Sequence, residues 1–488
     1  MTTNRKAFFT MEDAKISFNL FCAVCGIGTL GMPANFSRAG PVIAVCAMIF
    51  MAFANIYASV VCSKVMMIAP RSVRTFGDLG EWCVGKPGRW LVTIAQMGVC
   101  LLAPCAFLVL GGVLLDGLFP EAFKDTTWIV LMALSCVPIC LTPTLKEGAA
   151  VAFAGCMGTV LSCIVGSVVL LSGMKGHPSV PQPNVSFEQV AVTFGNLSLA
   201  YGAGVVIPAL QRQHSEPTRM PRVIIITLSF ISVLFLALAV IGYTAVGCQI
   251  QGNLLFSIYS NPTSGLTDLG FKSNWGGVVL AYMFMQLHIQ IAFSVLLHPA
   301  FYIFERLVLG MHQHPAVDVE APAYEAAATP NDDASALKPR ASKSSVVSMA
   351  DIERVHDDEE DESAEYKGYE LKYITLRMVM IAVLTAVAMV LKDHFNDLAD
   401  FIGASAHSYS CIILPIVFYL RKMWPSVPTW EKTIAMFVIV ICVVLSAFVS
   451  YKTGKKLFVS ANTDGPKFPF CEPEFQYELY YNASAVNP

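Results

Sequence analysis

Two apolar stretches break in the same way: Cys25-Gly26-Ile27-Gly28-Thr29-Leu30-Gly31-Met32-Pro33, and Tyr201-Gly202-Ala203-Gly204-Val205-Val206-Ile207-Pro208. Each places a Gly-x-Gly and then a Pro inside a segment otherwise hydrophobic enough to cross a bilayer. Gly and Pro leave a helical ladder unfinished, and in hydrocarbon the freed N–H and C=O groups survive only where they line a cavity. A pair of interrupted helices, one in each half of a chain, is the sequence mark of a secondary transporter's binding site. The bland alternative, glycines that merely let helices pack closely, would suit one such stretch better than two.

Working outward, the 488 residues are 55% hydrophobic and 14% charged, against about 25% charged in soluble proteins. Crossing ~30 Å of hydrocarbon takes about 20 helical residues. About eleven stretches qualify, near 14–36, 41–68, 89–116, 126–143, 148–173, 188–211, 221–247, 275–309, 372–392, 396–420 and 431–451. The whole chain, 1–488, therefore reads as one transmembrane domain. Positive residues set its orientation. Arg5, Lys6 and Lys15, then Lys64, Arg71, Arg74, Lys86 and Arg89, then Arg212, Arg219 and Arg222, then Arg421 and Lys422 all fall on one side if the N-terminus is cytosolic. The C-terminus is then outside, as are the sequons at Asn184 and Asn482. Lys452, Lys455 and Lys456 count against this arrangement. The sequons at Asn35 and Asn196 lie in or against spans and are expected to stay unused. A polar start followed directly by a full span predicts that no signal peptide is cleaved.

The insertion 311–370, with Asp357-Asp358-Glu359-Glu360-Asp361-Glu362 at its core, is too polar to bury a core and reads as a disordered cytosolic loop. It is a spacer first, with Ser342, Ser344 and Ser345 as candidate phosphorylation sites. Residues 452–488 form an extracellular or luminal tail. Most of the 15 cysteines lie in spans, where a free thiol behaves as a small hydrophobe. Only Cys248 and Cys471 read as extracellular, and whether they pair is left open at this level.

Residues 26–31 also match the Gly-x-Gly-x-x-Gly dinucleotide fingerprint, but that motif needs a strand before it and a soluble βαβ unit. The useful chemistry is the bare backbone. Free N–H groups at a helix restart suit a carboxylate, and free carbonyls where the preceding half-helix stops suit an ammonium or a small cation. A zwitterionic amino acid carries both charges. Five spans separate the two breaks, the layout of a five-plus-five inverted repeat with an eleventh helix added.

In these features the chain resembles the amino acid/auxin permease family, within the superfamily sharing the fold of the bacterial sodium–leucine transporter. The resemblance rests on Gly26 to Pro33, on Thr75-Phe76-Gly77-Asp78-Leu79-Gly80-Glu81, on Tyr201 to Pro208 with Pro217 and Pro221 beyond, and on His288 through Pro299 to Glu305. It implies an all-α membrane transporter moving amino acids or related carboxylates, driven by protons or sodium. It also implies that main-chain groups of Gly26, Ile27, Gly28 and Thr29, with Tyr201, Gly202 and Gly204, hold the substrate. Residues of the third, eighth and tenth spans would set side-chain selectivity.

Carboxylates and lysines are almost absent from span centres, where proton carriers usually reside. Histidine remains, the side chain that titrates near neutral pH: His288 and His298 in the eighth span, His407 in the tenth. His288 is the candidate coupling residue, against the alternative of a hydrogen-bonded packing histidine. Gln286, Gln290, Ser294 and His298 recur every four residues, a polar stripe that must face the bundle interior. Ser294 would then offer a hydroxyl to sodium, opposite the carbonyls of Cys22 and Cys25. Some sodium-coupled relatives carry Asn where this chain has Cys22, and a thiol is a poor ligand for a hard cation. Proton coupling is accordingly preferred to sodium. Ser405, His407, Ser408 and Tyr409, and Gln96 in the third span, are cavity polars or interhelical bonding groups in equal measure.

No buried acid is evident to pair with a cationic substrate, so the expected cargo is a neutral amino acid, imported by proton symport through alternating access. A sodium-coupled symporter, an auxin-like carboxylate permease and an amino acid sensor without flux are the competing readings. Metal-ligand clusters, nucleophile elbows, phosphate loops and basic nucleic-acid patches are not seen, so neither an enzyme nor a cofactor is expected. Plasma membrane is the default location, with vacuolar or lysosomal membrane as the alternative. Oligomeric state is not legible.

Overall fold

The computed structural model describes residues 8–70, 72–142, 148–311, 366, 368–459 and 465–481. Most of the acidic insertion, its serines and the Asn482 sequon lie outside the described residues.

The first crossing is in pieces: α1 (Met11–Val24), the single turn α2 (Ile27–Leu30) and α3 (Met32–Ala39). A capping box starts it, with Thr10 and Asp13 each satisfying the other's backbone N–H. Gly40, at φ 73°, reverses the chain into α4 (Pro41–Ile68). A second capping box, Thr75 with Asp78, starts the short α5 (Phe76–Val84), so part of the 75–81 motif is helix-start chemistry. Then come α6 (Lys86–Leu118), α7 (Asp125–Cys140) and α8 (Gly148–Gly173). The sixth crossing is also broken, into α9 (Phe187–Ala200), a 3-10 turn at Gly204–Val206, and α10 (Ile207–Gln213). Next follow α11 (Met220–Val246), the short α12 (Leu254–Ile258), α13 (Trp275–Phe304) and α14 (Glu370–Val390). The tenth crossing joins α15 (Phe395–Ile402), two π-helical turns at Gly403–His407 and Tyr409–Ile413, and α16 (Leu414–Met423); α17 (Thr429–Lys456) is last.

Among the described residues nine helices are long and apolar enough to cross a membrane, and α7 is a shorter apolar one. With the broken first segment they make eleven crossings. The tail begins after Lys456, a few residues later than the sequence boundary at 452, because α17 continues through the lysines. Lys452 and Lys456 are tolerated at that end because Glu188, in the first turn of α9, lies 2.7 Å and 4.0 Å from them.

Small residues set the packing where helices cross. A Cβ on Gly158 of α8 would lie 2.6 Å from the Phe284 carbonyl of α13, and one on Gly195 of α9 would lie 2.5 Å from the Asp400 carbonyl of α15. Such approaches bring backbones together in a medium that gives no hydrophobic push between helices. Cys248, just past α11, and Cys471 form a disulfide across 223 residues. Residues 465–481 are thereby fixed at the end of α11 farthest from Arg219.

Candidate functional site

Both breaks are real. After Val24, Cys25 (φ −74°, ψ 96°) and Gly26 (φ −144°, ψ −157°) leave the helical path. The helix resumes with Thr29 N–H donating to the Gly26 carbonyl at 3.0 Å. In the sixth crossing α9 ends at Ala200, the Ala203 N–H turns back onto the Tyr201 carbonyl at 2.6 Å, and the 3-10 turn leads into α10. The two interruptions also touch. A Cβ on Gly28 would sit 2.9 Å from the Ala200 Cα, and one on Gly31 would overlap the Asn196 amide. One turn beyond, the buried Asn35 amide donates to Asn196 Oδ1 at 2.9 Å, which ties α3 to α9. The same pairing buries both of these sequon asparagines.

Each broken stretch faces an imidazole. His288, buried on α13, has Nδ1 3.0 Å from the Gly155 carbonyl of α8. A carbonyl only accepts, so Nδ1 carries the hydrogen. Nε2 then presents a lone pair, finds no hydrogen-bond partner among the described residues, and lies 3.6 Å from where a Cβ on Gly26 would be. The Phe107 ring of α6 meets this imidazole edge-on, with centroids 6.0 Å apart. Opposite the second break, a Cβ on Gly202 would come within 2.7 Å of the His407 ring, and one on Gly204 within 2.7 Å of the Cys411 Cα. The π-helical turns of the tenth crossing therefore lie directly against Tyr201–Gly204.

Other predicted residues are engaged elsewhere. Tyr201 turns its ring to α11, where its hydroxyl donates to Ser232 Oγ at 2.7 Å, so only its main chain is at the break. Ser405 donates to the Phe401 carbonyl of its own helix at 2.6 Å. Ile27 is buried at the start of α2, and the Thr29 hydroxyl is buried without a hydrogen-bond partner among the described residues. Cys22 and Cys25 both lie beside the Cys156 thiol of α8.

Ser294 donates to the Gln290 carbonyl at 3.2 Å and accepts from the Cys140 thiol of α7 at 3.5 Å. His288, rather than Ser294, is the eighth-span side chain brought to the first break. The stripe does turn inward, but toward the scaffold. Gln286 donates to the Gly111 carbonyl of α6 at 2.7 Å, Gln290 lies 3.4 Å from Ser135 Oγ of α7, and His298 Nε2 is 3.3 Å from the Thr142 carbonyl. These are interhelical bonds that hold α13 against α6 and α7.

Two polar closures bracket the breaks, and neither was singled out from sequence. At the far end of α3 the buried Arg38 donates to Asp400 of α15 at 2.7 Å. Below that pair a void of about 10 Å³ is bounded by Ile27, Gly31, Asn196 and Leu199, room for about one water. At the opposite end Asp13 receives Arg219 at 2.6 Å and lies 2.8 Å from His214 Nε2, while Glu12 accepts from the Ser215 N–H at 2.7 Å and from its hydroxyl. The available signal was Asp400, near Asp397 at the start of the tenth apolar run, and Arg38 between the first two runs, charges that the cost of burial near hydrocarbon marks as paired.

Paired broken helices packed at their breaks, within eleven crossings of which the first and sixth are interrupted, define the fold of the sodium–leucine transporter. A mutant of the manganese transporter of Eremococcus coleocola is similar in fold, with a TM-score of 0.50 at 12% identity over 93% of this chain and 89% of that one. The model of the transmembrane amino acid transporter protein family matches residues 14–455, and the chain belongs to that family. Among Arabidopsis thaliana proteins it is similar to amino acid transporter ANT1, 19% identical over 89% of this chain and 90% of that protein. It is also similar to amino acid transporters AVT1I and AVT1D, each 24% identical over 51% and 48% of this chain. Against those two the chain spans 63% and 44% of the relative's length.

Proposed function

We propose that this protein is a secondary active transporter that imports a neutral amino acid by proton symport, through alternating access. The observation that carries the reading is the contact between the two breaks at Gly28 and Ala200, with His288 Nε2, which has no partner among the described residues, set against Gly26. The substrate ammonium would meet carbonyls at the end of α1, around Cys22 and Cys25. Its carboxylate would meet N–H groups of Gly26, Ile27 and Gly28 at the restart, where the local dipole favours an anion, while the Thr29 N–H closes the first turn onto the Gly26 carbonyl. A proton taken up at His288 Nε2 turns that nitrogen from acceptor to donor and gives the bound carboxylate a cationic partner, which couples the two cargoes.

The two closures support alternating access. Parting Arg38 from Asp400 opens the breaks on one side, and parting Asp13 from Arg219 and His214 opens them on the other. With the N-terminus cytosolic, these are the outer and inner gates. Sodium coupling through Ser294 is the weaker reading, because that hydroxyl is bonded toward α7.

The test is uptake of a panel of labelled amino acids into proteoliposomes, at two external pH values and with sodium replaced. Acidifying the outside should raise uptake, a protonophore should collapse it, and replacing sodium should leave it unchanged. Tight binding without flux would favour the sensor, and loss of uptake on sodium replacement would overturn proton symport. In His288→Ala, surface expression should persist while the pH dependence disappears.

A further inference from the structure

The C-terminal segment 465–481 lies over the outer closure and touches its arginine. The Phe470 ring stands 5.5 Å from the Arg38 guanidinium carbon, on the residue that pairs with Asp400. The Phe470 carbonyl accepts from the Asn184 N–H at 2.8 Å, and Pro183 bridges to Cys471 in the loop that leads into α9. Further along, Gln249 donates to the carbonyls of Phe475 and Glu478 at 3.0 Å and 2.7 Å, and the Tyr480 hydroxyl donates to the Ala245 carbonyl at 3.0 Å. Phe468 is buried, and Cys471 is fully buried in its disulfide to Cys248. The segment is thus bonded at once to the loop that leads into the broken crossing, to the arginine and to the end of the seventh helix.

We propose that residues 465–481 are a tethered latch on the outer gate. Phe470 acts as a positioning residue: its π face holds the Arg38 guanidinium in line with Asp400. The disulfide keeps the latch seated after each opening. This rests on the transport reading for its meaning in the cycle, but the gate itself can be read without flux. An arginine over an aromatic face is attracted electrostatically, more so where water is excluded. Removing that face therefore frees the guanidinium to leave Asp400. Tethering by Cys248–Cys471 keeps the local concentration of the segment high, so cutting the tether lowers the fraction of time it is seated.

The experiment uses the full chain with Ala34→Cys as reporter, a buried residue on the void beneath the pair. Labelling by a membrane-impermeant maleimide is compared with the parent lacking that cysteine, and uptake is recorded in parallel. Phe470→Leu, which keeps apolar bulk but loses the ring, should label about threefold faster or more. Phe470→Tyr should restore the slow rate. The double variant Cys248→Ser, Cys471→Ser should label faster still. Unchanged labelling in both Phe470→Leu and the double serine variant, with each at normal surface level, overturns the latch. Absence of flux in the unaltered protein would strike the transport reading, while a labelling response would still support the latch.

Discussion

Six residues decide which side chain of α13 meets the first break. At 3.6 residues per turn, positions 288 and 294 point to different faces of one helix, and only the first looks toward Gly26. At the two breaks, Gly28 and Gly202 each lack room for a methyl group, but against different neighbours. In Gly28→Ala the new Cβ would lie 2.9 Å from the Ala200 Cα, backbone that cannot swing aside. Overpacking of this kind costs about 1–3 kcal/mol, so the variant should melt several degrees lower and lose most uptake, as a thermal-shift assay and a tracer assay would register. Gly202→Ala meets the His407 ring instead, a side chain that can rotate. It should keep more stability than Gly28→Ala and lose substrate affinity. Equal melting temperatures for the two would contradict this account.

At the scale of elements, buried charge pairs tie one helix to another and are costly to leave half-made. Arg377 of α14 donates to Glu305 at 2.7 Å and to the carbonyls of Cys140 and Thr142 at 2.8 Å and 2.7 Å, under Phe301 and Tyr373. Removing one member of such a buried set typically costs about 3–5 kcal/mol. Glu305→Ala should therefore lower surface expression and melting temperature without a specific change in pH dependence. On the proposed reading of the Arg38–Asp400 pair, Asp400→Asn acts on a gate rather than a scaffold. Here uptake and Ala34→Cys labelling should shift together, with the outer side spending more time open. If Asp400→Asn merely destabilised, labelling of correctly folded protein would be unchanged.

The whole molecule has two distinguishable ends. Cys248, Cys471, Asn184 and Arg38 cluster at one, while Asp13, His214 and Arg219 cluster at the other. If the N-terminus is cytosolic, the exposed Asn184 is the accessible sequon among the described residues, and Asn35 and Asn196, buried against each other, are not. Expression in a glycosylating host should give an endoglycosidase-sensitive shift that survives Asn196→Gln and shrinks in Asn184→Gln. An N-terminal tag should then need membrane permeabilisation to be stained. The reverse staining would invert the assignment of inner and outer gates, though not the geometry of either.

Span number, the position of both breaks and the fold class were legible in the amino-acid order, because hydrocarbon imposes a local rule. A segment either satisfies its backbone over about 20 residues or advertises with Gly and Pro that it does not. Partnership was not legible. That Arg38 finds Asp400 across 362 positions, that Asn35 finds Asn196, that Ser294 turns to Cys140 while His288 turns to Gly26, and that Cys248 takes Cys471 all depend on how helices are arranged in space. A periodic polar stripe says only that a face is buried. Which neighbour it is buried against is settled by close packing of the bundle, which sets these charge pairs and glycine contacts together.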